Sequence, residues 1–549
     1  MSDEQRREGG LTRKQLLGTG AGAAAAAMLS PSLGLDKALA AGKGGGEGLG
    51  GKNVILFLTD QEREIQHFPP NWMRENLPGM RRLKRHGLSF ESACTAACMC
   101  SPSRSSLMTG YFPAQHGVKY TLESNMEATK YPQVDLPTTL PNLGTVMGAA
   151  GYDVVYKGKW HCSKPAGETA VPADLEKYGF NRWDPPDAGA NQNVTEAGGG
   201  VTNNDGRIME SEGNAQQATE GALQYLDTLA GKGNRPFFLV ISLVNPHDVL
   251  FYPSRTFEES GYDASWLAGD IELPQTGEED LGTKPTVQEQ FLRIFNLTGK
   301  PESDAEKRGY LNFYGNLMRS SDNYVVEVLD RLEKHDLLDE TLIIRTSDHG
   351  EMGLAHGGLR QKNFNFYEET LKVPLIYSNP KMFPRPVTSD ALVSHVDLLP
   401  TLASLAGAPK AARRDWQGVD YSDLVLHPHR GKAPQDYVAF TYDDFQSGQA
   451  NGPYPKEPNH VTSIREKRWK LAKYSDVKTT VEGEKPVEKP GPKPPQWEMY
   501  DLKTDPYEEV NLAFDGYERT AVQEREFLRL KKKLAKVEKT RLRPLPQTV

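Results

Sequence analysis

The stretch Asn53-Val54-Ile55-Leu56-Phe57-Leu58-Thr59 is apolar at every interior position and stops at Asp60. A strand with one wet face alternates apolar and polar side chains, whereas an unbroken apolar run marks a strand buried on both faces. Similar runs recur at Asp153–Tyr156, Phe237–Val244, Thr341–Thr346 and Val373–Tyr377. Between them lie segments of helical character at Leu140–Ala150, Ala215–Leu229, about Ala305 to Lys334, and Leu398–Ala406. This alternation predicts an α/β fold in which a large, mostly parallel sheet is sandwiched by helices.

Polar residues follow the strands. Asp60 and Gln61 come after the first run, Lys159 and His161 after the second, His247 after the third, and Asp348 and His349 after the fourth. Ligands of open α/β sheets bind at the carboxyl edge, so one site can gather residues nearly three hundred positions apart. From about residue 436 the character changes to short strand-like runs at Tyr437–Tyr442, Val461–Arg465, Trp469–Tyr474 and Trp497–Leu502, a Pro/Lys-rich loop at 485–496, and a charged helix near Thr520–Lys536. A main domain over 52–435 followed by a smaller C-terminal antiparallel-sheet domain over 436–549 is the expectation. The Gly-, Asn- and Pro-rich stretch 164–214 and the acidic stretch 250–300 read as lids or substrate-shaping loops.

The N-terminus is no part of this core. Thr12-Arg13-Lys14-Gln15-Leu16-Leu17 leads into the alanine-rich Gly18–Leu29 and then Ala38-Leu39-Ala40. That pattern predicts an export signal over 1–41, resembling the bacterial twin-arginine type, and hence a periplasmic or secreted protein. The stretch is too rich in Ala and Gly for a stable membrane span, which needs about 20 strongly apolar residues. A net charge of −8 speaks against a nucleic-acid partner. Of the cysteines only Cys94, Cys98, Cys100 and Cys162 occur, and neither a disulfide scaffold nor a C-x-x-C zinc site is legible.

One of those cysteines opens the run Cys100-Ser-Pro-Ser-Arg-Ser-Ser-Leu-Met-Thr-Gly110. It resembles the formylglycine signature C-x-P-S-R-x-x-L-x-T-G of type I sulfatases, within the alkaline phosphatase superfamily. Every specified identity is met, by Cys100, Pro102, Ser103, Arg104, Leu107, Thr109 and Gly110. The resemblance implies that a formylglycine-generating enzyme converts Cys100 to 3-oxoalanine, whose hydrate, a gem-diol, is the nucleophile. One hydroxyl attacks sulfur; the other, on losing its proton, expels sulfate and restores the aldehyde. Arg104, one helical turn on, is placed to hold the diol and its developing charge.

The resemblance runs over roughly 52–515. Gly151-Tyr152 with Gly158-Lys159-Trp160-His161 is similar to the family's second signature, which implies that Lys159 contacts sulfate and His161 the diol. His247, in Asn245-Pro246-His247, resembles the histidine that protonates the leaving group. Lys362, closing His356-Gly357-Gly358-Leu359-Arg360-Gln361-Lys362, aligns with a second sulfate-binding lysine, while His356 is either loop support or a substrate contact. Met499-Tyr500-Asp501-Leu502, with Asp505-Pro506 and Asn511-Leu512, resembles the closing segment of sulfatases. One divalent metal is implied, held by Asp60, Gln61, Asp348, His349 and the modified Cys100. Many sulfatases carry two successive acids after the first strand and Asp-Asn before the glycine. This chain has Asp60-Gln61 and Asp348-His349, a variant that resembles choline-sulfatase-like and phosphonate-monoester-hydrolase-like relatives, and the imidazole shifts the expected ion from Ca²⁺ towards Mn²⁺. The implied reaction is hydrolysis of a sulfate monoester on a small molecule or glycan, the alternative being a phosphonate monoester or phosphodiester. No motif identifies the leaving group.

Overall fold

Val54, Leu56 and Leu58 of strand β1 (Asn53–Thr59) face one apolar core, and Ile55 and Phe57 face another. The unbroken run therefore has its physical cause in a sheet covered on both sides. The computed structural model describes residues 48–545 apart from 65–66, 124–125, 127–130, 192, 212–219, 231–234, 450 and 483–484. The export signal expected over 1–41 lies outside the described residues, as does the first part of the helix expected at Ala215–Leu229, of which Ala222–Thr228 is seen.

After β1 come β2 (Gly87–Cys94), β3 (Ala97–Cys98), β4 (Asp153–Gly158), β5 (Phe237–Ser242), β6 (Thr341–Ser347), β7 (Leu375–Ser378) and β8 (Val387–Ser394). All but β3 form one seven-stranded sheet in the order β4-β5-β1-β6-β7-β2-β8. Neighbours run parallel except at β7, which is antiparallel to both β6 and β2. The strands whose ends carry the polar candidates, β4, β5, β1 and β6, are thus consecutive in space, and their carboxyl ends form one edge. The longest described helix, Asp304–Lys334, starts from a Ser303/Glu306 capping box and buries Tyr310, Phe313, Tyr314 and Leu317 against the β1 side of Ile55 and Phe57.

The second sheet takes β9 (Val438–Tyr442), β10 (His460–Arg465), β11 (Trp469–Ser475) and β14 (Gln496–Asp501), while β12 (Val477–Glu482) and β13 (Lys485–Pro490) form a separate hairpin. It is antiparallel except where β3 joins β9 in parallel. The Ala521–Thr540 helix lays Phe527, Leu530, Leu534 and Val537 on Ile464, Trp469, Leu471 and Met499.

The structure adds to these expectations and in one place, the 485–496 loop, corrects them. Two strands of the main sheet, β2 and β8, carry no unbroken apolar run because parts of each are exposed. The expected loop 485–496 begins as strand β13. The excursions 164–214 and 250–300 contain helical pieces, the largest being Thr286–Phe295 with Val287 and Phe291 buried. Among the described residues no helix is long and apolar enough to cross a membrane.

Candidate active site

The chain passes from β2 in the main sheet to β3 in the second, and the next residue but one begins the helix Cys100–Thr109, every residue of which is buried. The first four N–H groups of a helix have no partner inside it, so Pro102 in the first turn costs no hydrogen bond. Gly110 ends the helix in a left-handed conformation, φ 71°, donating to the Ser106 carbonyl at 2.9 Å. Leu107 and Met108 pack into the core, and Ser103 Oγ donates to the Asp348 carbonyl at 2.5 Å. The helix is thereby fixed against the end of β6, with Cys100 at its first turn.

Arg104 binds both strand-end carboxylates. Its Nε lies 2.9 Å from Asp348 Oδ2 and its Nη2 3.1 Å from Asp60 Oδ2, while Nη1 donates to the Lys159 carbonyl at 3.0 Å and to Ser242 Oγ at 2.8 Å. Lys159 Nζ sits 2.6 Å from Asp60 Oδ2 and donates to the Gly189 carbonyl at 2.5 Å. Gly158 makes this possible: it holds φ +99°, and a Cβ there would meet the Ser242 carbonyl oxygen at 2.0 Å. Burial alone would raise the Asp60 carboxyl, but Lys159, His247 and Arg104 outweigh it and hold the group well below the usual carboxylate range.

The remaining donor atoms converge. Cys100 Sγ is 3.1 Å from His349 Nε2 and 3.6 Å from Asp60 Oδ1. His349 Nε2 lies 3.7 Å from Asp348 Oδ1 and 3.9 Å from Asp60 Oδ1. Ligand atoms of Asp60, Cys100, Asp348 and His349 all fall within 4.8 Å of one another. His349 Nδ1 is 3.0 Å from the Gly350 carbonyl, which can only accept, so the proton is on Nδ1 and the Nε2 lone pair faces the cluster. Burial lowers the His349 pKa and keeps the ring neutral. Two carboxylates and an imidazole lone pair beside Cys100 suit a divalent cation. Burial, then Asp60, pushes the Cys100 thiol up to about 12, so the unmodified sulfur is a poor nucleophile at neutral pH.

Gln61 and Lys362 meet each other: Lys362 Nζ donates to Gln61 Oε1 at 2.6 Å. Gln61 Nε2 donates in turn to Glu351 Oε2 at 2.5 Å, and Glu351 also accepts from Tyr310 and the Gln361 N–H. Lys362 is buried, not a surface lysine. His161 Nε2 donates to the Leu122 carbonyl at 2.5 Å, leaving Nδ1 as a buried acceptor without a partner among the described residues. The His161 and Trp160 N–H groups bind Asp187, at 2.9 and 2.7 Å. His247 is buried; desolvation, then Lys159, lowers its pKa well below the ordinary value. Sequence reasoning passed over Ser242, Glu351 and Asp187. Glu351 stands two residues after His349 and could have been singled out; Asp187 lies in a Pro-rich stretch with no periodic signal.

A cleft of about 130 Å³ opens among segments that neighbour the site residues in sequence. Its walls come from segments next to the candidate residues: Met99 before Cys100, Phe251 and Tyr252 after His247, Arg360, Gln361 and Asn363 around Lys362, and Phe291 and Phe295 from the 250–300 excursion.

A family model described as Sulfatase matches residues 52–408, and one described as N-sulphoglucosamine sulphohydrolase, C-terminal, matches residues 356–540. Choline-sulfatase of Rhizobium meliloti is 25% identical over 479 residues, covering 84% of this chain and 83% of its own. N-acetylglucosamine-6-sulfatase of Homo sapiens is 27% identical over 382 residues, covering 65% of this chain and 61% of its own. Among solved structures, a 2-O GAG sulfatase superposes with a TM-score of 0.64 at 20% identity, covering 89% of this chain and 92% of that one. The phosphonate monoester hydrolase of Agrobacterium radiobacter does so with a TM-score of 0.58 at 19% identity, covering 88% and 96%.

Proposed function

The chain belongs to the sulfatase family of the alkaline phosphatase superfamily, and on that premise we propose that it hydrolyses sulfate monoesters through a formylglycine formed at Cys100. The observation that carries this reading is the buried cluster of Asp60, Cys100, Asp348 and His349 at the start of a helix that also presents Arg104. Cys100 Sγ stands for the oxygens of the hydrated aldehyde. A divalent ion held by Asp60, Asp348 and His349, with Gln61 as a weaker ligand, would polarise the sulfate and favour the ionised diol.

The chain's own residues supply the rest. Arg104, Lys159 and Lys362, together with a divalent ion, would outweigh Asp60 and Asp348 and so attract an anionic ester group. His161 Nδ1, the orphaned acceptor, takes a hydrogen bond from a diol hydroxyl. Attack by the other hydroxyl breaks the bond between sulfur and the leaving oxygen, and that oxygen takes its proton from His247. The ring, neutral in the free protein, takes up the proton that the attacking hydroxyl gives up, a change the negative charge of bound substrate favours. The second hydroxyl then passes its proton to His161 Nδ1, which already accepts its hydrogen bond, restoring the aldehyde and expelling sulfate. The aromatic cleft beside Met99 and Gln361 receives the leaving group.

Sulfate monoesters, phosphonate monoesters and phosphate diesters all carry one charge, phosphate monoesters two. The test is kcat/KM of the matured, metal-loaded enzyme on matched aryl esters of each kind. Sulfate turnover should be fastest, phosphonate and phosphodiester turnover measurable, and phosphomonoesterase activity slight. A higher kcat/KM for the phosphonate would overturn the assignment and make Gln61 and His349 the telling residues.

A further inference from the structure

Outside the active site the molecule buries a second cluster of titratable groups, around His356. We propose that His356 is a positioning residue: an imidazolium set among Glu279, Glu369 and Glu508 that fastens the loop carrying Lys362 to the 250–300 excursion and to the C-terminal part of the chain. The inference rests on the sulfatase reading only through the role of Lys362.

The loop from His349 to Thr370 closes on itself, Gly350 N donating to Thr370 O and Glu351 N to Glu369 O, both at 3.0 Å. Within it Leu354 and His356 hold left-handed backbones with φ of 63° and 49°, which L residues avoid without outside support. Support comes from the excursion. His356 N donates to Thr276 Oγ1 at 3.1 Å, Gly357 N donates to Thr276 O at 2.9 Å, and His356 Nδ1 lies 2.6 Å from Glu279 Oε2. On the other edge of the ring Nε2 is 3.7 Å from Glu369 Oε2, and the ring lies flat on Tyr367 with centroids 3.6 Å apart. Ligand atoms of His356, Glu369 and Glu508 fall within 4.8 Å of one another.

Among the described residues, each neighbouring carboxylate but Glu369 has a cation of its own. Lys284 is 2.8 Å from Glu279, Lys470 is 2.7 Å from Glu508, and Arg465 is 2.8 Å from Glu368. Arg63, the other guanidinium near Glu369, donates to the carbonyls of Glu351 and Met352 and contacts His67. A charged His356 is the natural counterpart for Glu369. Burial opposes its charge, but Glu279 and Glu369 outweigh that and raise the group from 6.5 to about 9. A metal bound by His356, Glu369 and Glu508 would need Nε2 without its proton and Glu508 released from Lys470, so the imidazolium fits the geometry better.

The mechanical consequence reaches the active site. The same loop sends Lys362 to Gln61 and Arg360 across the cleft to Asn296 Oδ1 and Gly299 O, at 2.8 and 2.7 Å. Loss of the ring's positive charge leaves Glu279 and Glu369 facing a neutral imidazole, which loosens the loop that carries Lys362 and one cleft wall. Since the folded value lies above the unfolded one, the stabilisation is complete below about pH 6.5 and is lost as pH rises through about 9.

The test is the pH profile of kcat/KM on an aryl sulfate for the full-length, metal-loaded enzyme, its His356→Gln variant and its Glu279→Gln variant. Wild type should lose activity along a limb near pH 9. His356→Gln should lack that limb and lose roughly tenfold or more at pH 7, mainly through KM, as misplaced binding groups do. Glu279→Gln should move the limb to lower pH above an unchanged plateau, an effect a merely structural role would not produce, and it decides the matter should His356→Gln fail to fold. A wild-type limb and KM in His356→Gln, an unmoved limb in Glu279→Gln, or a second equivalent of tightly held metal lost from His356→Gln would overturn the inference. A wild type inactive on sulfate esters but active on phosphonates would instead count against the functional reading.

Discussion

Arg104 donates from all three of its side-chain nitrogens, to Asp348, Asp60, Ser242 and the Lys159 carbonyl. Lysine cannot reproduce that fork, so Arg104→Lys should lower kcat/KM by roughly 10²–10³ without unfolding the protein. Asp348→Ala is expected to be worse. It removes a proposed metal ligand and one of the two carboxylates that pair with the buried Arg104 guanidinium, at about 3–5 kcal/mol of stability, and metal content measured alongside activity should fall with it. Cys100→Ser tests the chemistry separately. A serine that stays unmodified can attack sulfur but has no second hydroxyl to expel sulfate, so mass spectrometry should find a stable sulfated protein after at most one turnover.

The end of β4 depends on Gly158, where any side chain would collide with the Ser242 carbonyl. Gly158→Ala should cost about 1–3 kcal/mol for the left-handed backbone alone and displace Lys159, lowering both the denaturation midpoint and kcat/KM. The C-terminal helix offers the opposite case. Leu530→Ala removes a fully buried side chain far along the chain from the site residues, and should cost about 2–5 kcal/mol while leaving kcat unchanged. Strands β1, β4, β5 and β6 were legible because each is buried on both faces, and so were the residues beyond their ends. Strands β2 and β8 were not, since partial exposure breaks their apolar pattern, and the antiparallel direction of β7 depends on the path of the chain, which no local pattern records. Cys100 and Arg104 could be read from a local motif. The hold of Glu351 on Gln61, and of Asp187 on the segment carrying His161, could not, because hydrogen-bond partners far apart in sequence leave no periodicity.

At the scale of the whole molecule, two sheets meet at one helix: β3 belongs to the second sheet, and Cys100 follows it by two residues at the edge formed by β4, β5, β1 and β6. Arg104 and Lys159 already neutralise Asp60 and Asp348 in part. Chelation should therefore abolish turnover while far-ultraviolet circular dichroism stays unchanged, and Mn²⁺ should restore activity better than Ca²⁺. Collapse of the fold on chelation would show that the ion is structural. The proposed mechanism depends on the chemical state of residue 100. Peptide mass spectrometry across Cys100–Gly110, on preparations matured to different extents and assayed on the same aryl sulfate, measures it directly. Specific activity should rise in proportion to the fraction of aldehyde and vanish with it, whereas full sulfate turnover by protein carrying only unmodified cysteine at 100 would contradict the account.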